Sequence, residues 1–246
     1  MKRPPIAEEL DRSYRAFCRS SRLVDDFIAC DPVQFPRRYT NQADIEIAAF
    51  LSATIAWGRR EQIIISAEKM FAMMPHGPLN FVMSSKPSKN ARPSCIHRTF
   101  FEHDLRYFCK GFKHCYQKYG NLETLFAASP DMWQGIALFR EEMALANGGR
   151  YSKHIANADK SACKRINLAL RWLVRQGRVD LGLWKNVRPS SLCIPLDVHV
   201  ARNARSLGLL QRASNDRKAV EELTGKLKEF CPEDPVKYDF ALFGMS

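Results

Sequence analysis

The sequence contains no Cys-x-x-Cys pair. Its eight cysteines stand at 18, 30, 95, 109, 115, 163, 193 and 231 and match no zinc or iron–sulfur spacing. No metal and no cofactor is therefore expected, and the thiols read as reduced and mostly buried, as in a cytoplasmic protein. No uncharged run reaches membrane-spanning length. The first residues, Met1 to Pro5, lack the apolar stretch of a secretory signal, so neither export nor a membrane partner is expected. Glycine and proline, 12 and 13 residues, make up only about a tenth of the chain, which excludes fibrous and low-complexity classes. No segment sustains an alternation of period two, and no internal repeat occurs. Acidic residues are scarce beside basic ones, 26 against 38.

The resulting charge of +12 predicts attraction to a polyanion. It is unevenly placed. Arg150 to Arg188 holds ten Lys and Arg against Asp159 and Asp180, a net of +8, whereas Ala213 to Asp239 is net −2. With 246 residues, 46% of them apolar, the chain can bury a sizeable core.

Helical spacing dominates. Apolar positions at helix intervals predict helices over Ala7–Ala29, Asp44–Trp57, Arg60–Met74, Asp104–Tyr119, Asn121–Ala127 and Asp131–Asn147. Ser161–Arg175, Val198–Leu207, Asp216–Phe230 and Pro235–Phe243 complete an all-α set of about ten helices. Ser84 to Ser94 is polar, proline-containing and basic, so it reads as a loop and the best nicking site. Between His97 and Tyr119 rings alternate with Lys, Arg and His. That pattern fits a helix with buried rings and solvated cations, and equally a surface that stacks on a base.

One segment carries candidate chemistry. Pro195 holds the chain extended just before Asp197, and Val198 to Ala204 continues as a helix start. An aspartate there is a good N-cap. The same geometry holds an ionised carboxylate in place, able to stabilise a cationic sugar or to take a proton from a nucleophile.

Pro195-Leu196-Asp197-Val198-His199, continued to Arg202 and Leu207-Gly208-Leu209, resembles the catalytic-aspartate segment of the helix-hairpin-helix DNA glycosylase superfamily. Asp44 to Thr54 is similar to an early helix of that superfamily, and Tyr238 to Gly244 to a late helix under its active site. Lys164-Arg165-Ile166-Asn167-Leu168-Ala169-Leu170 resembles the helix that carries its lysine nucleophile, both in endonuclease III and in the archaeal 8-oxoguanine glycosylases, the latter being the closest in style overall. The resemblance implies a two-lobed helical fold with a cleft between lobes, divided about 44–150 against 1–43 plus 151–246. It implies Lys164 as nucleophile and Asp197 as base, acting on double-stranded, lesion-containing DNA, with oxidised purine as substrate and RNA as a second possible partner. The protein is expected to act as a monomer. Arg59, Lys160, Ser161, Arg165, His199 and Arg202 become candidate nucleic-acid contacts, with Ser161 as the cap of the lysine helix. Lys160, Arg165 and Arg171 would supply the positive charge that tunes Lys164.

Each residue also has a plainer reading. Lys164 serves equally as a phosphate contact, His199 as a packing residue, and Trp57, the alternative to Arg59 as a strand wedge, as core. The chain departs from the superfamily at the hairpin, because Ala156 to Cys163 contains no glycine. No cysteine cluster follows Asp197, so no iron–sulfur cluster is expected. A non-catalytic DNA- or RNA-binding role is the alternative. Phe50 to Gly58 and Asp234 to Gly244 also resemble phrases of a bacterial family of uncharacterised proteins.

Overall fold

The computed structural model describes residues 3–84 and 94–244. Among them are the helices α1 (Pro5–Arg19), α2 (Ser21–Cys30), α3 (Gln42–Thr54), α4 (Arg60–Ala72), α5 (Pro78–Ser84) and α6 (Glu102–Tyr119). They continue as α7 (Leu122–Ala127), α8 (Met132–Leu145), α9 (Lys164–Val174), α10 (Val198–Ser206), α11 (Arg217–Phe230) and α12 (Asp239–Gly244). Short 3-10 turns at Pro32–Gln34, Pro36–Arg38, Pro189–Ser191 and Pro235–Tyr238 link them. The fold is all-α apart from one hairpin, β1 (Cys95–His97) and β2 (Phe100–Phe101), paired antiparallel. Strands of two and three residues are too short to show a period in the sequence. Apart from its end residues Ser84 and Ser94, the expected loop lies outside the described residues.

One expectation is corrected. The single helix over Ala7–Ala29 is two helices. Ser20 is extended (φ −85°, ψ 106°), and its Oγ accepts the Leu23 N–H at 3.2 Å, so a hydroxyl breaks one helix and starts the next. The helix expected over Arg60–Met74 ends at Ala72, and a further short helix, α5, opens at Pro78, a proline at the first helical position.

Contacts group the chain into two units, residues 1–27 with 157–246, and residues 28–156. In the first, α1 packs on α12 and α12 on α10. Phe17 stacks on Phe240 at 5.2 Å, and Phe27 meets Phe240 edge-on at 5.9 Å. Arg3 reaches from the chain start to Phe230 O (2.8 Å) and Tyr238 Oη (3.0 Å).

In the second unit, α3 is buried at every residue from Ile45 to Thr54, as befits a central helix apolar all round. Its one charge in that stretch, Glu46, accepts from Tyr116 Oη at 2.6 Å and Leu122 N at 3.0 Å. Phe50, Phe112, Phe126 and Phe139 pack around α3 with centroids 5.0–6.4 Å apart. Phe100, Phe108 and Phe112 are buried, so these rings of the aromatic, basic stretch belong to the core and are closed to base stacking.

Candidate active site

Asp197 is placed by the chain before it. The Ile194 N–H donates to Thr224 Oγ1 at 3.1 Å and ties the extended segment to α11. Asp197 is itself extended (φ −108°, ψ −177°), and α10 begins at the next residue. Its Oδ1 accepts the N–H groups of His199 and Val200, both at 2.9 Å. The cap read from the sequence is thus present, and it uses one oxygen only. The other oxygen, Oδ2, lies 4.0 Å from Lys164 Nζ. The side chains are 30% (Lys164) and 19% (Asp197) exposed, so a ligand can reach them while bulk water is partly excluded.

Lys164 is the first residue of α9. Cys163, just before it, is left-handed (φ 47°, ψ 34°), which costs a non-glycine residue about 1 kcal/mol. Ser161 is not the helix cap. Its Oγ accepts the Cys163 N–H at 3.2 Å, it bridges to Asp216, and no side chain caps α9. The left-handed turn before α9, a conformation that favours glycine, is taken here by a buried cysteine.

A second carboxyl stands at the start of α12. Asp239 is buried, its Oδ2 is held by the Arg171 guanidinium, and its Oδ1 has no hydrogen-bond partner among the described residues. Burial pushes this carboxyl up to about 6. Arg171 pulls the other way, Asp197 and Asp180 push further, and Lys164 opposes. Asp239 therefore shares the electrostatic field of the Lys164–Asp197 pair. The sequence carries a signal for this residue: an acid inside the apolar run Tyr238 to Phe243 must be paired when it is buried.

Below the pair runs a buried network. Arg171 Nε donates to Asp180 at 3.2 Å, and Arg175 reaches Asp180 at 2.8 Å and Asp234 at 2.9 Å, with Tyr14 Oη as a further partner. Burial works against the charge of Arg175, but Asp180 and Asp234 hold it firmly protonated. Asn203 Nδ2 donates to Leu242 O at 2.7 Å and joins α10 to α12. These contacts fix α9, α10 and α12, and with them the three side chains. Arg171, expected to supply positive charge near Lys164, is an internal ion-pair partner, 3% exposed and shared between Asp180 and Asp239.

The other candidates are scattered. Lys160, His199 and Arg202 are exposed in the first unit, with the His199 ring edge-on to Phe243 at 6.2 Å. Arg165 is half-buried, and burial lowers its guanidinium below its ordinary value, with Cys163 opposing. Arg59 belongs to the second unit, exposed just before α4. Trp57 is half-buried, stacked on His154 at 5.7 Å and edge-on to His97 at 4.7 Å. Among the described residues no group of three His, Cys, Asp or Glu side chains is placed to hold a metal ion.

An amine and a carboxylate so arranged can exchange a proton, and the carboxylate can face a developing cation while its cap keeps it in position. Residues 31–246 match the model of a family described as protein of unknown function, DUF2400. The chain belongs to this family. The family span includes Lys164, Asp197, Asp239 and the whole buried network apart from Tyr14. No curated protein and no solved structure matches the chain.

Proposed function

We propose that the protein is a DNA base-excision glycosylase with an associated lyase step, removing a damaged base, an oxidised purine before others, from double-stranded DNA. One observation carries the reading: Lys164 Nζ stands 4.0 Å from the free oxygen of a carboxylate whose other oxygen is committed to a helix cap. In this reaction Asp197 Oδ2 takes a proton from the Lys164 ammonium, and the amine attacks C1′ of the sugar. The N-glycosidic bond breaks, its electron pair leaves with the base, and the base takes up a proton. The sugar ring then opens to a Schiff base on Lys164. The target nucleotide leaves the stack to reach the pair. Exposed Lys160, His199, Arg202 and Arg59 are the proposed phosphate contacts, joined by Ser161 and Arg165. With this goes a two-lobed, glycosylase-like architecture, acting as a monomer.

Borohydride trapping on a panel of lesion-containing duplexes tests the proposal. Wild type is expected to crosslink to one of them, and Lys164→Gln to none. Asp197→Asn, which keeps the cap, is expected to slow trapping by roughly a hundredfold or more. If no lesion traps and no free base is released, the enzyme reading falls. A non-catalytic nucleic-acid-binding role then takes its place, favoured by the hairpin without glycine and shown by salt-dependent binding without chemistry.

A further inference from the structure

A pocket of about 670 Å³ lies wholly within the second unit, away from the residues considered so far. One wall is α6, which presents His103, Arg106 and Lys110 to it. These positions are three and seven residues apart and share a helix face. The other wall is the chain after α8. Gly148 (φ 69°) and Gly149 (φ 77°) turn it back in the left-handed conformation that only glycine takes without strain. Arg150 to Lys153 follow as lining residues, and Asn147 fastens this wall to α6 by donating to Tyr107 O at 3.1 Å.

The lining is cationic, and most of its charge is uncommitted. Its one acid, Asp104, accepts the Phe101 N–H at 2.9 Å and sits 3.5 Å from the ring nitrogens of both His103 and His154. Arg106 shares its charge with Glu102 at 3.0 Å. Lys110, Arg150 and Lys153 are exposed and make no ion pair among the described residues, with Arg150 Nε donating to Asn147 O at 3.3 Å. The lining contains no Ala, Val, Leu, Ile, Met or Phe, and its apolar surface comes from Tyr107, Tyr151 and the stems of the cationic side chains. The α6 stripe from His103 to Lys110 rises roughly 10 Å, which spans about three nucleotides of a strand advancing 3.4 Å per step.

We propose that this pocket is a binding site for the sugar–phosphate backbone of a nucleic-acid strand, with Lys110, Arg150 and Lys153 as the phosphate contacts. The proposal shares the nucleic-acid partner of the preceding reading but not its chemistry, and uses none of the Lys164–Asp197 site.

The test is fluorescence anisotropy of the full chain with a duplex oligonucleotide over a salt series. Lys110→Gln with Lys153→Gln is compared with wild type and with a charge-matched pair elsewhere, Lys69→Gln with Lys228→Gln. Two lost phosphate contacts are expected to reduce the slope of log affinity against log salt by about 2, and to weaken binding on the order of fiftyfold at about 0.1 M salt. The control pair should leave the slope in place. An unchanged slope in the pocket variant, or an equal loss in the control, overturns the proposal. So does inorganic phosphate, if at equal phosphate concentration it shifts the backbone resonances of residues 148–153 as strongly as the oligonucleotide, since that marks a single-anion pocket. Borohydride trapping by wild type is run in parallel. Trapping with no slope change removes this proposal alone, and a slope change with neither trapping nor free-base release removes the glycosylase reading alone.

Discussion

The two units both carry clustered cations and use them in opposite ways. In the first, Arg171 and Arg175 turn inward and are neutralised by Asp180, Asp234 and Asp239, so charge acts as internal framework. In the second, Lys110, Arg150 and Lys153 stay at the surface around a pocket whose only acid is engaged elsewhere. A charge count along the sequence treats these groups alike. Only the fold separates cations that hold the protein together from cations left for a partner, which is why a +8 stretch is not by itself a binding surface.

The contrast can be broken in order of expected effect. Arg175→Ala leaves the Asp180 carboxylate buried without this partner, and a loss of about 3–5 kcal/mol in urea unfolding is expected. A loss below about 1 kcal/mol would place the arginine with the surface pairs instead. Asp239 gives the next effect, and its sign is fixed by its raised carboxyl. Folded Asp239 ionises near 6, and the unfolded residue near 3.8. Between those values the folded protein holds the extra proton, so this residue's contribution to stability is full at low pH and falls as pH rises through about 6, by about 3 kcal/mol in all. In Asp239→Asn the decline between about pH 4 and 6 should flatten relative to wild type, read from unfolding curves at several pH values. Asp197→Ala removes the cap of α10 and should cost about 1 kcal/mol. Smallest is the pocket pair, Lys110→Gln with Lys153→Gln: exposed and unpaired, these changes should move stability by less than about 0.5 kcal/mol while weakening nucleic-acid binding. A clear drop in melting temperature would mean that these lysines are framework too.

Much of the helical framework was legible in the sequence. The amphipathic spacing located α6, α10 and α11 within two residues at each end, because each has one buried face. The Asp197 cap was also legible, since proline before and a helix after leave an aspartate little else to do. What stayed hidden depends on partners far along the chain. Arg171 meets Asp239 across 68 positions, and nothing local to either marks the pair. The left-handed turn at Cys163 was hidden for another reason: the residue type disfavours it, and only its surroundings impose it. The break at Ser20 escaped because serine is a milder interrupter than glycine or proline.

The division of labour between the two oxygens of Asp197 has an evolutionary consequence. Asparagine caps a helix about as well as aspartate, and a single base change in the codon converts one to the other. The α10 start, the packing beneath it and the match to the family would all survive that change, while the negative charge facing Lys164 would vanish. A lineage could therefore lose whatever chemistry this carboxylate performs in one step at almost no cost to folding. Among relatives, the residue at this one position would separate active members from silent copies that overall similarity groups together.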